Sequence, residues 1–230
     1  MPQDYLKIPP DLKNLISKNK FALIIYDNEP IMELSRLPVG VTIEKLNEKK
    51  LLGELKNSDM QLKRQELVPG FLLKCTGQDN KELLYIYHIN YSLVTNHICN
   101  IYVAQKNTNF RVAERFWSFI NDINKITSHW TIMDNANVVR YAFGHKNLNT
   151  NGSETINSEI ITQSTNSNFK FFPLYFSRGD LAFNRKTKNN LIVDLNGEDA
   201  DCKIYSMSIL SGDDSVENNI TIKHSKPNCQ

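Results

Sequence analysis

The distribution of hydrophobic and polar residues is most regular between residues 82 and 126. Two apolar runs, Leu83–Tyr91 and Ile98–Ala104, have the length of buried β-strands. The polar pair Asn96-His97 separates them and predicts a tight antiparallel hairpin. In the next segment, Phe110–Ile126, apolar residues recur at intervals of three and four, which predicts an amphipathic helix. The predicted order is therefore strand, strand, helix.

The helix predicted over residues 110–126 defines the expected fold class. Asn109 precedes it and is a suitable N-cap residue. Its buried face would consist of Val112, Ala113, Phe116, Ile120 and Ile123. We expect an α+β fold, in which this central helix packs on a mixed, mainly antiparallel sheet and the C-terminal third is rich in β-strands.

The other segments predict shorter elements. Pro9-Pro10-Asp11 indicates the start of a helix, and region 44–67 predicts two helices divided at Gly53 and at Asn57-Ser58-Asp59. Pro69-Gly70 predicts a turn. Short apolar runs predict strands at Phe21–Tyr26, Val41–Ile43, Phe71–Cys75, Trp130–Met133, Val138–Phe143, Phe169–Phe176, Leu181–Phe183, Leu191–Leu195, Cys202–Ile209 and Asn219–Lys223.

Composition divides the chain into three segments. Residues 1–145 are predicted to form the α+β core. Residues 146–168 are dense in Asn, Ser, Thr and Gly, and they are predicted to be a polar loop or linker. Residues 169–230 form a β-rich extension, which we expect to belong to the same domain. We recognise no internal repeat along the chain.

The overall composition restricts the class of partner. The net charge is +2, and 40% of the residues are hydrophobic and 23% charged, as in an ordinary soluble protein. A nucleic-acid-binding protein usually has a strong basic excess, because neutralising phosphates supplies much of its affinity. The sequence therefore favours a protein partner. The abundance of asparagine is typical of an AT-rich genome, such as that of a virus, a mobile element or an intracellular pathogen.

The cysteines and the N-terminus predict a cytoplasmic location. Cys75, Cys99, Cys202 and Cys229 form no C-x-x-C pair, which indicates a reducing compartment. Met1–Pro10 lacks the apolar segment of a signal peptide. No window approaches ~18 consecutive apolar residues, so we expect no membrane contact. Export without a classical signal peptide stays an alternative.

A segment after the second predicted strand resembles a cofactor-binding loop. In Gln105-Lys106-Asn107-Thr108-Asn109-Phe110, Gln105 matches the first position of the pattern Q/R-x-x-G-x-G/A. The chain is similar here to the GCN5-related N-acetyltransferases, whose loop binds the pyrophosphate of acyl-CoA at a helix N-terminus. The resemblance implies an acyl-CoA-dependent N-acyltransferase with Gln105, Thr108 and Asn109 at the cofactor. Thr108 and Phe110 replace the two glycines of the family pattern.

Two acidic residues in the last third suggest a metal site. Asp180 and Asp194 flank predicted strands, and Asn196 follows two residues later. This arrangement resembles the D…(D/E)-x-K nucleases, in which two acids and a lysine on neighbouring strands hold Mg²⁺. The resemblance implies a metal-dependent nuclease with Asp180 and Asp194 as ligands. Asn196 stands where the family has lysine.

Residues Asn184–Asn190 predict a basic hairpin loop. Its cations, Arg185, Lys186 and Lys188, are candidates for contact with phosphate or with an acidic partner. The sequence contains no G-x-S-x-G motif or comparable nucleophile signature. We therefore expect a non-enzymatic protein-interaction or binding protein, with the acyltransferase and the nuclease as alternatives. Whether the protein is an enzyme and which cofactor it uses, if any, stay open at this point.

Overall fold

The computed structural model describes residues 8–55, 67–77, 81–91, 97–118, 124–146, 154–176 and 186–230. It shows two sheets of mainly parallel strands with a common core. In chain order the elements are α1 (Pro10–Ser17), β1 (Phe21–Tyr26), β2 (Glu29–Pro30), β3 (Val41–Lys45), α2 (Glu48–Glu54), β4 (Leu67–Cys75), β5 (Leu83–Asn90), β6 (His97–Ala104), β7 (Asn109–Ser118), β8 (Asn124–Ile132), β9 (Asn137–Lys146), β10 (Glu154–Gln163), β11 (Asn168–Phe176), β12 (Lys186–Leu195), β13 (Asp201–Ile204), β14 (Met207–Ile209) and β15 (Ser215–His224).

From β4 to β13, successive strands alternate between the two sheets. Sheet A has the order β13-β11-β9-β7-β5-β1-β2, with β14 also paired to β11, and sheet B has the order β15-β12-β10-β8-β6-β4-β3. Every pairing among strands β4 to β15 is parallel. The chain therefore winds as a β-solenoid-like coil, and each turn of the coil adds one strand to each sheet.

The predicted α+β fold is wrong, because the expected central helix is a strand. Residues 109–118 form β7, which pairs in parallel with β5 on one side and with β9 on the other. Val112 and Phe116 are four residues apart, an interval that fits one face of a helix and also one face of a strand. Tertiary pairing decided between the two periods. The apolar positions Ile120 and Ile123 lie outside the described residues.

The predicted antiparallel hairpin is also wrong. Strand β5 belongs to sheet A and pairs with β1 and β7, whereas β6 belongs to sheet B and pairs with β4 and β8. All four pairings are parallel. The two apolar runs are therefore neighbours in sequence that never pair with each other.

Several local predictions are confirmed and others are not. The N-terminal helix is α1, the first helix of region 44–67 is α2, and most predicted strands lie within observed ones. The second helix of that region and Leu181–Phe183 lie outside the described residues. The predicted turn Pro69-Gly70 is part of β4, at a register shift. Within the predicted polar segment, Glu154–Gln163 forms β10.

The coil turns at a repeated, asparagine-rich corner that leads from sheet B to sheet A. Asn107, Asn135, Asn166 and Asp199 each have a positive φ, between 53° and 60°. Asparagine and aspartate tolerate this left-handed conformation better than most residues. Backbone N–H groups of Asn107, Asn135 and Asn166 donate to carbonyls of the next corner. The corner recurs roughly every 30 residues, a period typical of solenoid repeats, so the chain does contain an internal repeat.

The core lies between the sheets, and the ends of the coil differ. At the N-terminal end, β2 pairs antiparallel with β1 in sheet A, and β3 pairs antiparallel with β4 in sheet B. Helix α1 packs on the outer face of β1 and β5, and α2 packs on the outer face of sheet B near β4 and β6. At the other end, β15 and β14 expose large apolar side chains, which include Met207, Ile209, Ile220 and Ile222.

Candidate interaction surface

Three aromatic rings stack on the outer face of sheet A. Tyr141 of β9 and Phe172 of β11 are direct cross-strand partners. Their ring centroids lie 5.0 Å apart, and the centroids of Phe172 and Tyr205 lie 5.1 Å apart, with interplanar angles of 18° and 13°. Tyr205 is 52% exposed. We call Tyr141, Phe172 and Tyr205 the aromatic ladder; it arises because parallel in-register strands place equivalent side chains one strand apart.

Cations lie beside the aromatic ladder, in the row two residues earlier, in which β9 contributes Val139 and the other strands contribute cations. Arg111 is in register with Val139, Val139 with Lys170, and Lys170 with Lys203. Arg111 and Lys203 are exposed, and Lys170 is half-buried. We call Arg111, Lys170 and Lys203 the cationic row. Lys203 donates to Asp201 at 2.5 Å.

The apolar surface continues on the other side of the ladder. Phe143, Leu174 and Met207 are in register with one another on β9, β11 and β14. Met207 is exposed, and the guanidinium of Arg115 lies 5.4 Å from the ring centroid of Phe143. Among the described elements, only α1 packs on this face, and it covers β1 and β5. The rows on β7 to β14 thus form an aromatic surface edged by positive charge.

A surface of this composition has a definite binding chemistry. Aromatic edges and aliphatic side chains provide contact area with little loss of conformational entropy. The neighbouring cations attract carboxylates, and this attraction weakens as salt increases. The outer face of sheet A is therefore suited to a ligand that combines apolar and acidic groups.

Behind this surface, a buried ionic cluster joins the two sheets. Arg140 of β9 donates to Glu114 of β7 at 2.5 Å and to both carboxylate oxygens of Glu159 of β10 at 2.7 and 2.9 Å. The guanidinium also lies 5.0 and 4.6 Å from the ring centroids of Trp130 and Phe171. One cation thus holds two carboxylates in the core.

The pKa values of the two carboxylates shift in opposite directions. Burial raises the pKa of Glu114, but the charge of Arg140 and a hydrogen bond from His88 more than offset it and bring the pKa to about 2. Burial raises the pKa of Glu159, and Arg140 offsets this only in part. The Tyr102 hydroxyl also donates to Glu114 at 2.5 Å. Arg140 pairs with both carboxylates inside the core, so we interpret the cluster as structural.

The residues that the acyltransferase resemblance implied lie at a corner of the coil. Gln105 is exposed, and Thr108 is buried and donates its hydroxyl to the Gln105 carbonyl at 2.7 Å. The Asn109 side chain accepts a hydrogen bond from Asn137 at 3.3 Å. A strand, β7, follows the corner instead of the helix whose N-terminus would face a pyrophosphate. The three residues are close together, but they serve the corner itself.

The residues of the proposed metal and basic sites are only partly described. Asp180 and Arg185 lie outside the described residues. Asp194 lies on the outer side of β12 and accepts a hydrogen bond from Ser225 at 3.0 Å. Lys186 and Lys188 belong to β12 and pair in parallel with β10 and β15, so the predicted hairpin loop is wrong at these two positions.

The aromatic ladder was missed, although the sequence contains a signal for it. Three corners read N-x-N followed by an apolar residue, in Asn107–Phe110, Asn135–Val138 and Asn166–Phe169, and a fourth reads Asp199–Cys202. Aligning the chain on these corners brings Ala113, Tyr141, Phe172 and Tyr205 into one column. Self-comparison at this period would therefore have revealed both the coil and the ladder.

Comparison with known proteins does not assign the chain to a family. No protein-family model matches the sequence, and no curated protein matches it. The described part of the chain contains no cluster of three or more His, Cys, Asp or Glu side chains that could hold a metal ion. Neither described helix has the length and hydrophobicity needed to cross a bilayer.

Proposed function

We propose that this protein is a non-enzymatic binding protein that engages another protein through the outer face of sheet A. The observation that carries the proposal is the aromatic ladder beside the cationic row. Half-exposed and exposed rings rarely form a contiguous surface on a monomer unless the surface binds something. Aromatic residues and arginine are also the types enriched at protein interfaces.

The geometry favours an extended or flat protein segment over a small molecule. The ladder runs from β9 across β11 to Tyr205, which directly follows β13, and neighbouring rings stack face to face. Such a surface offers contact area without a deep concavity, whereas small-molecule sites are concave. The cationic row would select carboxylate side chains in that segment.

A displayed library of random peptides tests this proposal. We expect peptides enriched on the parent protein to combine acidic with aromatic or aliphatic residues. Their affinity should fall about ten-fold or more with Phe172→Ala and with Lys170→Glu, because hot-spot truncations and broken charge pairs cost about 2 kcal/mol or more each. Raising the salt concentration should weaken binding to the parent protein.

A matched control separates the surface from general charge and fold effects. Lys125→Glu makes the same charge change on an exposed lysine of sheet B, and it should leave peptide affinity unchanged. Circular dichroism checks that each variant is folded. Peptides that bind Phe172→Ala and Lys170→Glu as tightly as the parent protein would show that the outer face of sheet A is not the binding surface.

A further inference from the structure

Strand β15 forms an open edge at the C-terminal end of sheet B. It is ten residues long and pairs with β12 on one side. In the part of the chain that the structure describes, no strand pairs with its other side. A long edge strand presents unpaired N–H and C=O groups that can pair with another strand.

The side chains at this edge continue the core beyond the last coil. Leu191 and Val193 of β12 are buried, whereas their register partners on β15, Ile220 and Ile222, are 50% and 44% exposed. Ile220 and Ile222 therefore form an apolar layer at the end of the coil, which packs against β12 and has no described strand on its other side. A strand added to β15 would bury Ile220 and Ile222 between layers, as Leu191 and Val193 are buried now.

The charges on the outer side of β15 identify the added strand. Glu217 is in register with Lys188, and Lys223 is in register with Asp194. If a second copy of β15 pairs antiparallel, centred on Ile220, then Glu217 of one copy lies opposite Lys223 of the other, and the reverse pair forms by symmetry. Each row across the junction then reads Asp194, Lys223, Glu217, Lys188, so the signs of the charges alternate through both copies.

We propose that two copies of this chain associate end to end through β15, in an antiparallel pairing centred on Ile220. The pairing is isologous, since each copy contributes the same edge, and it closes as a dimer. The core-facing side of sheet B in one copy continues into the core-facing side of sheet B in the other, because residues directly opposite in an antiparallel pair lie on the same face. This interface is separate from the aromatic ladder, which lies on sheet A.

Charge-reversal variants of the full chain test both the partner and the register. Sedimentation over a range of protein concentrations should show the parent chain shifting to twice its mass. Lys223→Glu and Glu217→Lys should each weaken association about ten-fold or more, because two attractive cross-strand pairs become repulsive. An equimolar mixture of the two variants should associate again, and so should the double variant Glu217→Lys with Lys223→Glu. Lys125→Glu, on a strand inside sheet B, should associate like the parent.

A disulfide test fixes the register. Ile220→Cys places two thiols opposite each other on the symmetry axis, at a separation that suits a disulfide. We expect it to form a covalent dimer on mild oxidation, above the background of the parent chain, and Thr221→Cys to remain at that background. A parent chain that stays monomeric, single charge variants that associate normally, a mixture that fails to associate, or preferential cross-linking of Thr221→Cys would each overturn the proposal.

Discussion

Arg140 and Glu114 form a salt bridge at 2.5 Å in which both side chains are completely buried between the two sheets. The cost of removing their charges from water is large, and it is offset only while both partners are present. Arg140 also holds Glu159 of the opposite sheet, so the pair determines how β7, β9 and β10 meet in the core.

Replacing Arg140 should therefore be among the most destabilising single changes in the core. Arg140→Met should lower the free energy of unfolding by about 3–5 kcal/mol at pH 7, because it leaves two carboxylates in the core without their cation. Urea unfolding followed by circular dichroism measures this loss. The loss of unfolding free energy should be smaller near pH 4, where the two carboxylates left without a cation can take up protons.

The exposed Arg111 on β7 provides the matched control for Arg140. Arg111→Met should change the free energy of unfolding by less than about 0.5 kcal/mol, as expected for an exposed position. Equal effects of the two substitutions would show that the buried salt bridge does not stabilise the fold.

The corner asparagines should be sensitive to loss of the left-handed conformation. Asn135 has a φ of 58°, donates to Asn107 at 3.0 Å and accepts from Asn166 at 2.8 Å. Asn135→Ala removes both hydrogen bonds and strains the backbone, so it should cost about 2 kcal/mol of unfolding free energy. Asn135→Gly removes the same bonds without the strain and should cost about 1 kcal/mol. A glycine variant as unstable as the alanine variant would contradict the backbone explanation.

Two glycines should respond oppositely to the same substitution. A Cβ atom on Gly197 would lie 1.9 Å from the backbone nitrogen of Thr165 and 2.1 Å from the carbonyl carbon of Ser164. Gly197→Ala should therefore force two coils apart and lower the melting temperature, at a cost of about 2–3 kcal/mol. Gly53 lies in α2, and no atom of the described residues comes within 4 Å of its Cβ position, so Gly53→Ala should add about 0.5–1 kcal/mol. Calorimetry of both variants checks the contrast, and a harmless Gly197→Ala would exclude this close contact.

His129 should make stability depend on pH. It is 4% exposed, neither ring nitrogen has a hydrogen-bond partner among the described residues, and burial lowers its pKa to about 4. Because the unfolded chain binds the proton with a pKa of ~6.5, the unfolded state holds more protons between pH 6.5 and 4. Stability should fall as pH falls through this window, by about 2 kcal/mol between pH 7 and pH 5.

Comparing variants at two pH values isolates the contribution of His129. In His129→Gln the difference in unfolding free energy between pH 7 and pH 5 should shrink by about 2 kcal/mol. An unaltered pH profile in His129→Gln would show that this histidine is protonated equally in both states.

Local patterns in the sequence were sufficient to predict many individual elements, but they did not predict which strands pair with one another. The run Phe21–Tyr26 is β1 and Pro9-Pro10-Asp11 begins α1, because a continuous apolar run and a proline-led turn depend on neighbouring residues. The helix prediction for segment 110–126 was wrong, because the interval between Val112 and Phe116 fits one face of a helix and also one face of a strand. Only pairing with the flanking strands β5 and β9 imposes the strand. The corner asparagines are visible in the sequence, but a general asparagine bias accounts for them equally well until the strands on either side are aligned.

The sequence by itself determined the short apolar runs, the near-neutral charge and the left-handed corners. Only the tertiary structure decided that consecutive strands alternate between two sheets, which brings Tyr141, Phe172 and Tyr205 together on one face. It also placed Arg140 against Glu114 and Glu159, and left β15 as an open edge. The physical reason is that pairing in a parallel sheet joins residues far apart in sequence, and no local pattern of hydrophobicity encodes which strands those will be.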